Sequence, residues 1–353
     1  MIGLDVGDDY LMNNNGIIVK SKKLHYILKA LKHFGDEEYM DFFLERETNP
    51  LLLEFNKNGE EYFEKPFYII HENGNGWGFF AEFRALLAKL VFADRFGMVP
   101  YIIWGSDFLY KEQCLLNGID NAFEYYFKQP FGYSLNDVNN ARLVTHSKSM
   151  QAVMIEREYK RDVYEISNEY LTVLACAYKK YIGFNKNIEQ QIKEQIRSKF
   201  GREKVLGVHF RGTDFKVGYD NHPVAVQLEQ TVHAIKEVIK DGKFTKIFVA
   251  TDEEMAIESL KKEFGGIIIY YDDVFRGNSD KSIAFSNSDR QYHHYQLGYE
   301  VIRDMLTLSY SDGLVAGLSQ VVVCARIAKA SRGDDYEILK VINNGINHTN
   351  IFF

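Results

Sequence analysis

The chain has 353 residues, 46% hydrophobic and 26% charged, which is ordinary globular usage and leaves out disordered and fibrous classes. The length suits two domains of roughly 150 to 200 residues. A net charge of −7 argues against a nucleic-acid surface, which needs clustered Lys and Arg, so any phosphate site must be local, made by one or two cations and backbone N–H groups.

Cys114, Cys176 and Cys324 lie far apart in apolar contexts; they read as reduced, buried thiols, with neither a disulfide framework nor a zinc cluster. The first residues lack the basic start and apolar stretch of a signal peptide, and no run of about 18 apolar residues occurs. The expectation is a cytoplasmic protein with no integral membrane segment, peripheral membrane association being left open.

Residues 1 to 65 show weak periodicity around Asn13-Asn-Asn-Gly16 and Asp36-Glu-Glu38. From Pro66 the pattern sharpens: Phe67 to Ile70 reads as a buried strand, His71 to Gly78 as a loop, Phe79 to Phe96 as a helix stopped by Gly97, and Val99 to Trp104 as the next strand. Such a unit builds parallel sheets. Residues 108 to 181 are aromatic-rich and read as mostly helical, and Asn185 to Lys199 as a polar amphipathic helix, either bridging two domains or covering one.

The second half alternates more clearly. Strand 205–210 is followed by a helix from about Pro223 to Lys240, with proline in its first turn. Strand 246–250, helix 253–264, strand 267–271, helix 291–310, strand 313–316 and helix 319–330 follow. The simplest architecture is α/β, with two Rossmann-like halves facing a cleft, divided as 1–183 and 184–353, the latter ending in a C-terminal tail.

The strand Val205-Leu-Gly-Val-His-Phe210 runs into Arg211-Gly-Thr-Asp214. Ligands bind beyond the carboxyl ends of strands in open α/β sheets, which places His209, Arg211, Thr213 and Asp214 where a ligand is held. A guanidinium offers a rigid, permanently charged fork that suits a diphosphate. Asp214 reads as a base, as the partner that orients Arg211, or as a cap of the local turn; Asp220 reads as a base or a plain turn residue, and His222 is a third base candidate.

The loop Gly74-Asn75-Gly76-Trp77-Gly78 has the composition to bring N–H groups to a phosphate at a helix start. Its spacing fits neither the dinucleotide fingerprint nor the P-loop, and a tight structural turn is the competing reading. Thr251 and Asp252 end the next strand, either facing the cleft or capping the following helix. Ser319, followed by Gln320, stands at a helix start, to cap it or hold an anion. Asp304 lies on an otherwise apolar helical face, where a carboxylate is costly unless it meets a donor; the donor is a nucleotide base or a neighbour of Arg303 on the surface.

His209-Phe-Arg-Gly-Thr-Asp214, Val249-Ala-Thr-Asp252 and Asp304 through Gln320 together resemble, in order, three motifs of the fucosyltransferase superfamily that includes α1,6-, α1,2- and protein O-fucosyltransferases and the rhizobial nodulation enzyme. The resemblance covers about 66–104 and 203–331. It implies a GT-B fold, GDP-fucose as donor, inversion at the anomeric carbon and no required metal; with no cofactor expected, the leading reading is transfer to a glycan acceptor in bacterial surface polysaccharide or glycoconjugate synthesis. By motif position Arg211 would hold the β-phosphate, His209 and Asp304 the guanosine, and Ser319 the diphosphate or fucose, with the glycine loop closing over the donor.

Two departures stand out. Gly212 replaces a second Arg, leaving the acceptor linkage open, and the position where the α1,6 enzymes carry their proposed base falls at Tyr219, next to Asp220. The residue chemistry agrees with metal-free transfer, since a preorganised cation stabilises the departing diphosphate and the chain contains no Asp-x-Asp. The competing readings are a GT-B transferase for another nucleotide sugar and an inactive glycan-binding module.

Overall fold

The structure is a computed structural model. It describes residues 10–13, 16–19, 51, 53–62, 64–74, 76–159, 164–212, 222–277 and 282–347. Strands β1 (Tyr10–Asn13) and β2 (Gly16–Val19) form an antiparallel two-stranded sheet of their own.

The first parallel sheet begins with β3 (Phe67–His71), which leads through the glycine loop into helix α1 (Phe79–Arg95) and then β4 (Val99–Ile103). A two-residue strand β5 (Phe127–Lys128), helix α2 (Leu135–Asn140) and strand β6 (Val144–His146) follow. The order is β4-β3-β6, Phe67 standing opposite both Val99 and Val144. The outer edge of β6 is covered by residues 56–61, with Asn56 and Val144 exchanging N–H···O bonds of 2.7 and 2.9 Å.

Helices α3 (Ser149–Glu158) and α4 (Asn168–Tyr181), a short β7 (Gly183–Phe184) that pairs with β5, and α5 (Lys186–Phe200) connect to the second sheet. Helix α5 is the amphipathic one, burying Ile188, Ile192 and Ile196 along one stripe.

The second sheet is β8 (Val205–Phe210), β9 (Lys246–Thr251), β10 (Ile268–Ile269), β11 (Gly313–Gly317) and β12 (Ile338–Ile342) in the order β10-β9-β8-β11-β12, every pair parallel. Its helices are α6 (Leu228–Ile239), α7 (Glu254–Phe264), α8 (His293–Tyr310) and α9 (Gln320–Ser331). Strand order reverses between β8 and β11, so the crevice beyond their carboxyl ends is the ligand position of a doubly wound sheet.

The period of two in the strands sorts their side chains between faces. Leu206, Val208, Ile247, Val249 and Val315 pack with Ile235 and Leu260 of α6 and α7. Val205, Phe248, Ala250, Leu314 and Ala316 face the other way, into the core that includes α8 and α9. Gly207 lies on that second face, where a Cβ would meet Ser311 Oγ at 2.9 Å and Leu308 at 3.1 Å; its bare backbone lets α8 lie close to the sheet. That core continues into the first half, because α9 packs on α4 and α1.

Several expectations need correction. Helix α6 starts at Leu228, five residues after Pro223, because residues 223–224 run extended against 345–346, with Val224 N–H donating to Gly345 O at 2.9 Å. The strand expected at 267–271 shrinks to β10, and the C-terminal tail supplies β12. The 108–181 region contains β5, β6 and 3-10 turns besides its helices. Cys324 is buried, whereas Cys114 and Cys176 are exposed; Cys176 sits on the solvent side of α4, opposite the buried Leu174 and Tyr178. No helix among the described residues is long and apolar enough to cross a membrane.

Candidate active site

Strand alternation that sends Val205 and Gly207 toward α8 sends His209 there too, and His209 lines a small pocket with Asp304 and Glu300 of α8. His209 is 6% exposed. Burial, and then the Arg211 cation, push its pKa down to about 4, so the imidazole is neutral near pH 7 and its two nitrogens act as one donor and one acceptor. Its Nδ1 is buried without a hydrogen-bond partner among the described residues.

Arg211 stands one residue past the end of β8. Its Nε lies 3.2 Å from Asp252 Oδ2, and the other oxygen of that carboxylate accepts the Gly212 N–H at 2.9 Å. Asp252 therefore caps no helix: it fixes the guanidinium and the turn that carries it. Helix α7 begins instead with Glu253 as N-cap, without a side-chain cap bond, and Thr251 Oγ1 accepts the Glu253 N–H at 3.2 Å. A Cβ on Gly212 would fall 2.2 Å from Glu253 Oε2 and 2.8 Å from Glu253 Cβ, so the Glu253 side chain fills the space a larger residue at 212 would need.

Burial pushes the Asp304 carboxyl up to about 7, against the opposing pull of Arg303 and Arg276, and no hydrogen bond from a described residue reaches it. Arg303 is engaged elsewhere, forming a bidentate pair with Asp273 at 2.9 and 2.5 Å while its guanidinium lies 4.0 Å over the Tyr271 ring. Glu300, one turn before Asp304, is held by Arg290 and by the Phe275 N–H at 3.2 Å. Of the carboxylates on this wall, Asp304 is the one left for a ligand.

Arg211 also lines a second, roomier pocket, together with His222, Ser319, Gln320, Gly76 and Gly78. Ser319 Oγ accepts the Val322 N–H at 3.4 Å, so it caps α9 while bordering this space. The glycine loop needs its glycines: Gly74 and Gly76 have φ of 144° and 89°, where side chains are strained. Glu82, in the first turn of α1, accepts the Asn73 N–H at 2.8 Å, and Lys89 donates to His71 O at 2.9 Å, tying the loop and the end of β3 to α1. Gly74 and Trp77 line neither pocket.

Most of the sequence-derived site thus converges: His209, Arg211, Thr251, Asp252 and Asp304 around the first pocket, and Arg211, His222, Gly76, Gly78, Ser319 and Gln320 around the second. Asn75, Thr213, Asp214 and Asp220 lie outside the described residues. Glu300 and Phe285 were not anticipated. Glu300 sits at i−4 from Asp304, a spacing available in the sequence; Phe285 comes from a non-repetitive segment with no pattern to reveal it.

The sequence matches no family model and no curated protein. Similar solved structures include NodZ α-1,6-fucosyltransferase soaked with GDP-fucose, aligned at TM-score 0.46 and 15% identity over 75% of this chain and 93% of that one. Another is POFUT1 in complex with GDP, at TM-score 0.46 and 13% identity over 79% of this chain and 99% of that one. A third is fucosyltransferase NodZ from Bradyrhizobium, at TM-score 0.42 and 15% identity over 75% and 92%.

Proposed function

We propose that this chain is an inverting glycosyltransferase of GT-B architecture that moves fucose from GDP-fucose to a hydroxyl of a glycan acceptor, with 1–183 on the acceptor side and 184–353 holding the donor. The observation that carries this is the placement of Arg211: fixed by Asp252 at the switch point of the sheet, it stands where the His209–Asp304 pocket meets the pocket bordered by the glycine loop.

In this reading guanine enters the first pocket. Ionised Asp304 accepts from the ring N–H and the exocyclic amino group, and neutral His209 adds a further bond. Uracil lacks that pair of adjacent donors and leaves Asp304 unpaired, which is costly in a buried site. The diphosphate lies against Arg211 and the start of α9, where N–H groups and the helix dipole favour an anion.

Transfer then proceeds as the acceptor oxygen attacks the anomeric carbon from the face opposite the diphosphate. The bond from that carbon to the phosphate oxygen breaks, and its electron pair leaves with GDP, where the preorganised guanidinium stabilises the growing charge. The acceptor proton passes to a base for which Asp214, Asp220 and His222 are the candidates; His222 lines the second pocket. Arg211 supplies the charge that a divalent cation supplies elsewhere, so turnover persists in EDTA.

Titration calorimetry with GDP and UDP tests the donor assignment. GDP should bind at least thirtyfold more tightly, the discrimination of a site built around one base's donors. Equal affinities would withdraw it.

A further inference from the structure

The second pocket contains a feature that donor binding leaves unused. Phe285 is 59% exposed on a turn held by hydrogen bonds. It ends a 3-10 turn, Ile283–Phe285, whose N-cap is Ser282, and the buried Ala284 precedes it. Ser286 Oγ is bonded to Ile283 O at 2.5 Å and lies 3.0 Å from His293 Nε2, which ties the turn to the start of α8. The Phe285 ring tip is 3.7 Å from where a Cβ on Gly76 would sit, so an aromatic from the second half meets the glycine loop of the first across the pocket.

Tyr110 and Tyr164 add further aromatic lining and Ser282 and Gln320 add polar groups, while Arg211 is the only Lys, Arg, Asp or Glu among the described lining residues. An exposed aromatic on a hydrogen-bonded turn is a partly preorganised platform, because less ordering of the backbone remains for the ligand to meet. Aromatic walls with a few placed polar groups suit a ligand with an apolar face and polar edges. A pyranose ring presents such a face of C–H groups and such an edge of hydroxyls. An anionic acceptor would be drawn to Arg211 and compete with the diphosphate for it, and a cationic one would be repelled.

We propose, resting on the fucosyltransferase reading, that this pocket is the acceptor subsite, that it takes an uncharged saccharide, and that Phe285 is the platform under the sugar that receives fucose. The pocket shares Arg211, Val301 and Val321 with the first, so the sugar lies next to the diphosphate end of the donor.

The test is transfer from GDP-fucose to an array of neutral oligosaccharides, the same array bearing sialic acid, and Ser/Thr-containing peptides, with wild type, Phe285→Ala and Phe285→Tyr. Expected are transfer to neutral saccharides alone, a rise of about tenfold in acceptor KM for Phe285→Ala with little change in kcat, and recovery in Phe285→Tyr. Preferential transfer to sialylated or peptide acceptors, transfer to none of the neutral saccharides while GDP is still released, or an unchanged KM in Phe285→Ala would overturn the proposal. Absence of both GDP binding and GDP release would instead remove the fucosyltransferase reading on which it rests.

Discussion

Asp304→Asn should stabilise the protein while abolishing the proposed GDP binding. The carboxyl's pKa of about 7 lies ~3 above the ordinary aspartate value, which at 1.36 kcal/mol for each pH unit is a ceiling of about 4 kcal/mol. Hydration from the pocket brings the expected gain to roughly half that, since interactions of incompletely desolvated groups are screened. The sign follows from linkage: a carboxyl whose folded pKa is raised favours the folded state while protonated, and this contribution is lost as pH rises from the unfolded value through about 7. The advantage of Asn should therefore be small near pH 4, grow to pH 7 and stay flat above. Urea unfolding of both proteins between pH 5 and 8, with GDP titrations on the same samples, measures both effects. A variant less stable than wild type at pH 8, or one with a pH-independent advantage, would refute the picture of a costly carboxylate awaiting a ligand.

The same group sets the pH dependence of binding. In the proposed donor site guanine is held by ionised Asp304, so GDP affinity should be constant above pH 7 and fall toward tenfold per unit below it; titration at pH 6 and pH 8 checks this. Asp252→Ala removes the acceptor for both Arg211 Nε and Gly212 N–H, and turnover should fall on the order of ten- to a hundredfold as the guanidinium loses its position, with less effect on GDP affinity. Steady-state rates and GDP titration separate the two. At Gly298 a Cβ would lie 2.1 Å from the hydroxyl of Tyr126 and 2.6 Å from its ring, and Tyr126 is fully buried and bonded to Tyr295 O at 2.9 Å. Gly298→Ala should therefore cost about 1–3 kcal/mol by overpacking, read as a lower melting temperature.

Legibility in the sequence followed the reach of each signal. Strand β8 announces itself because an apolar run stops at charged and polar residues, and period-two alternation puts His209 on the face of Val205 and Gly207, while only the fold shows that this face meets α8. Ser319 reads as a helix start because capping is chemistry within four residues. Asp252 was ambiguous, since Asp before a helix most often caps it; only the approach of β8 alongside β9 reveals that it holds Arg211. Strand β12 was lost because Ile338-Leu-Lys-Val-Ile342 at a sheet edge is half exposed and weakly patterned. The exposure of Cys176 depends on which face of α4 meets α9, and local composition says nothing about that. Phe285 lies on a segment with no repeat at all, where only the fold places it opposite Gly76.

Whether Arg211 stabilises a departing GDP is read from GDP release from GDP-fucose by wild type, Arg211→Ala and Arg211→Lys. Wild type should release GDP. Arg211→Ala should be slower by on the order of a hundredfold or more, the usual loss when a transition-state charge stabiliser is removed, and Arg211→Lys should recover little because a point charge replaces the planar fork. An Arg211→Ala protein that turns over GDP-fucose at the wild-type rate would show that the diphosphate departs without Arg211.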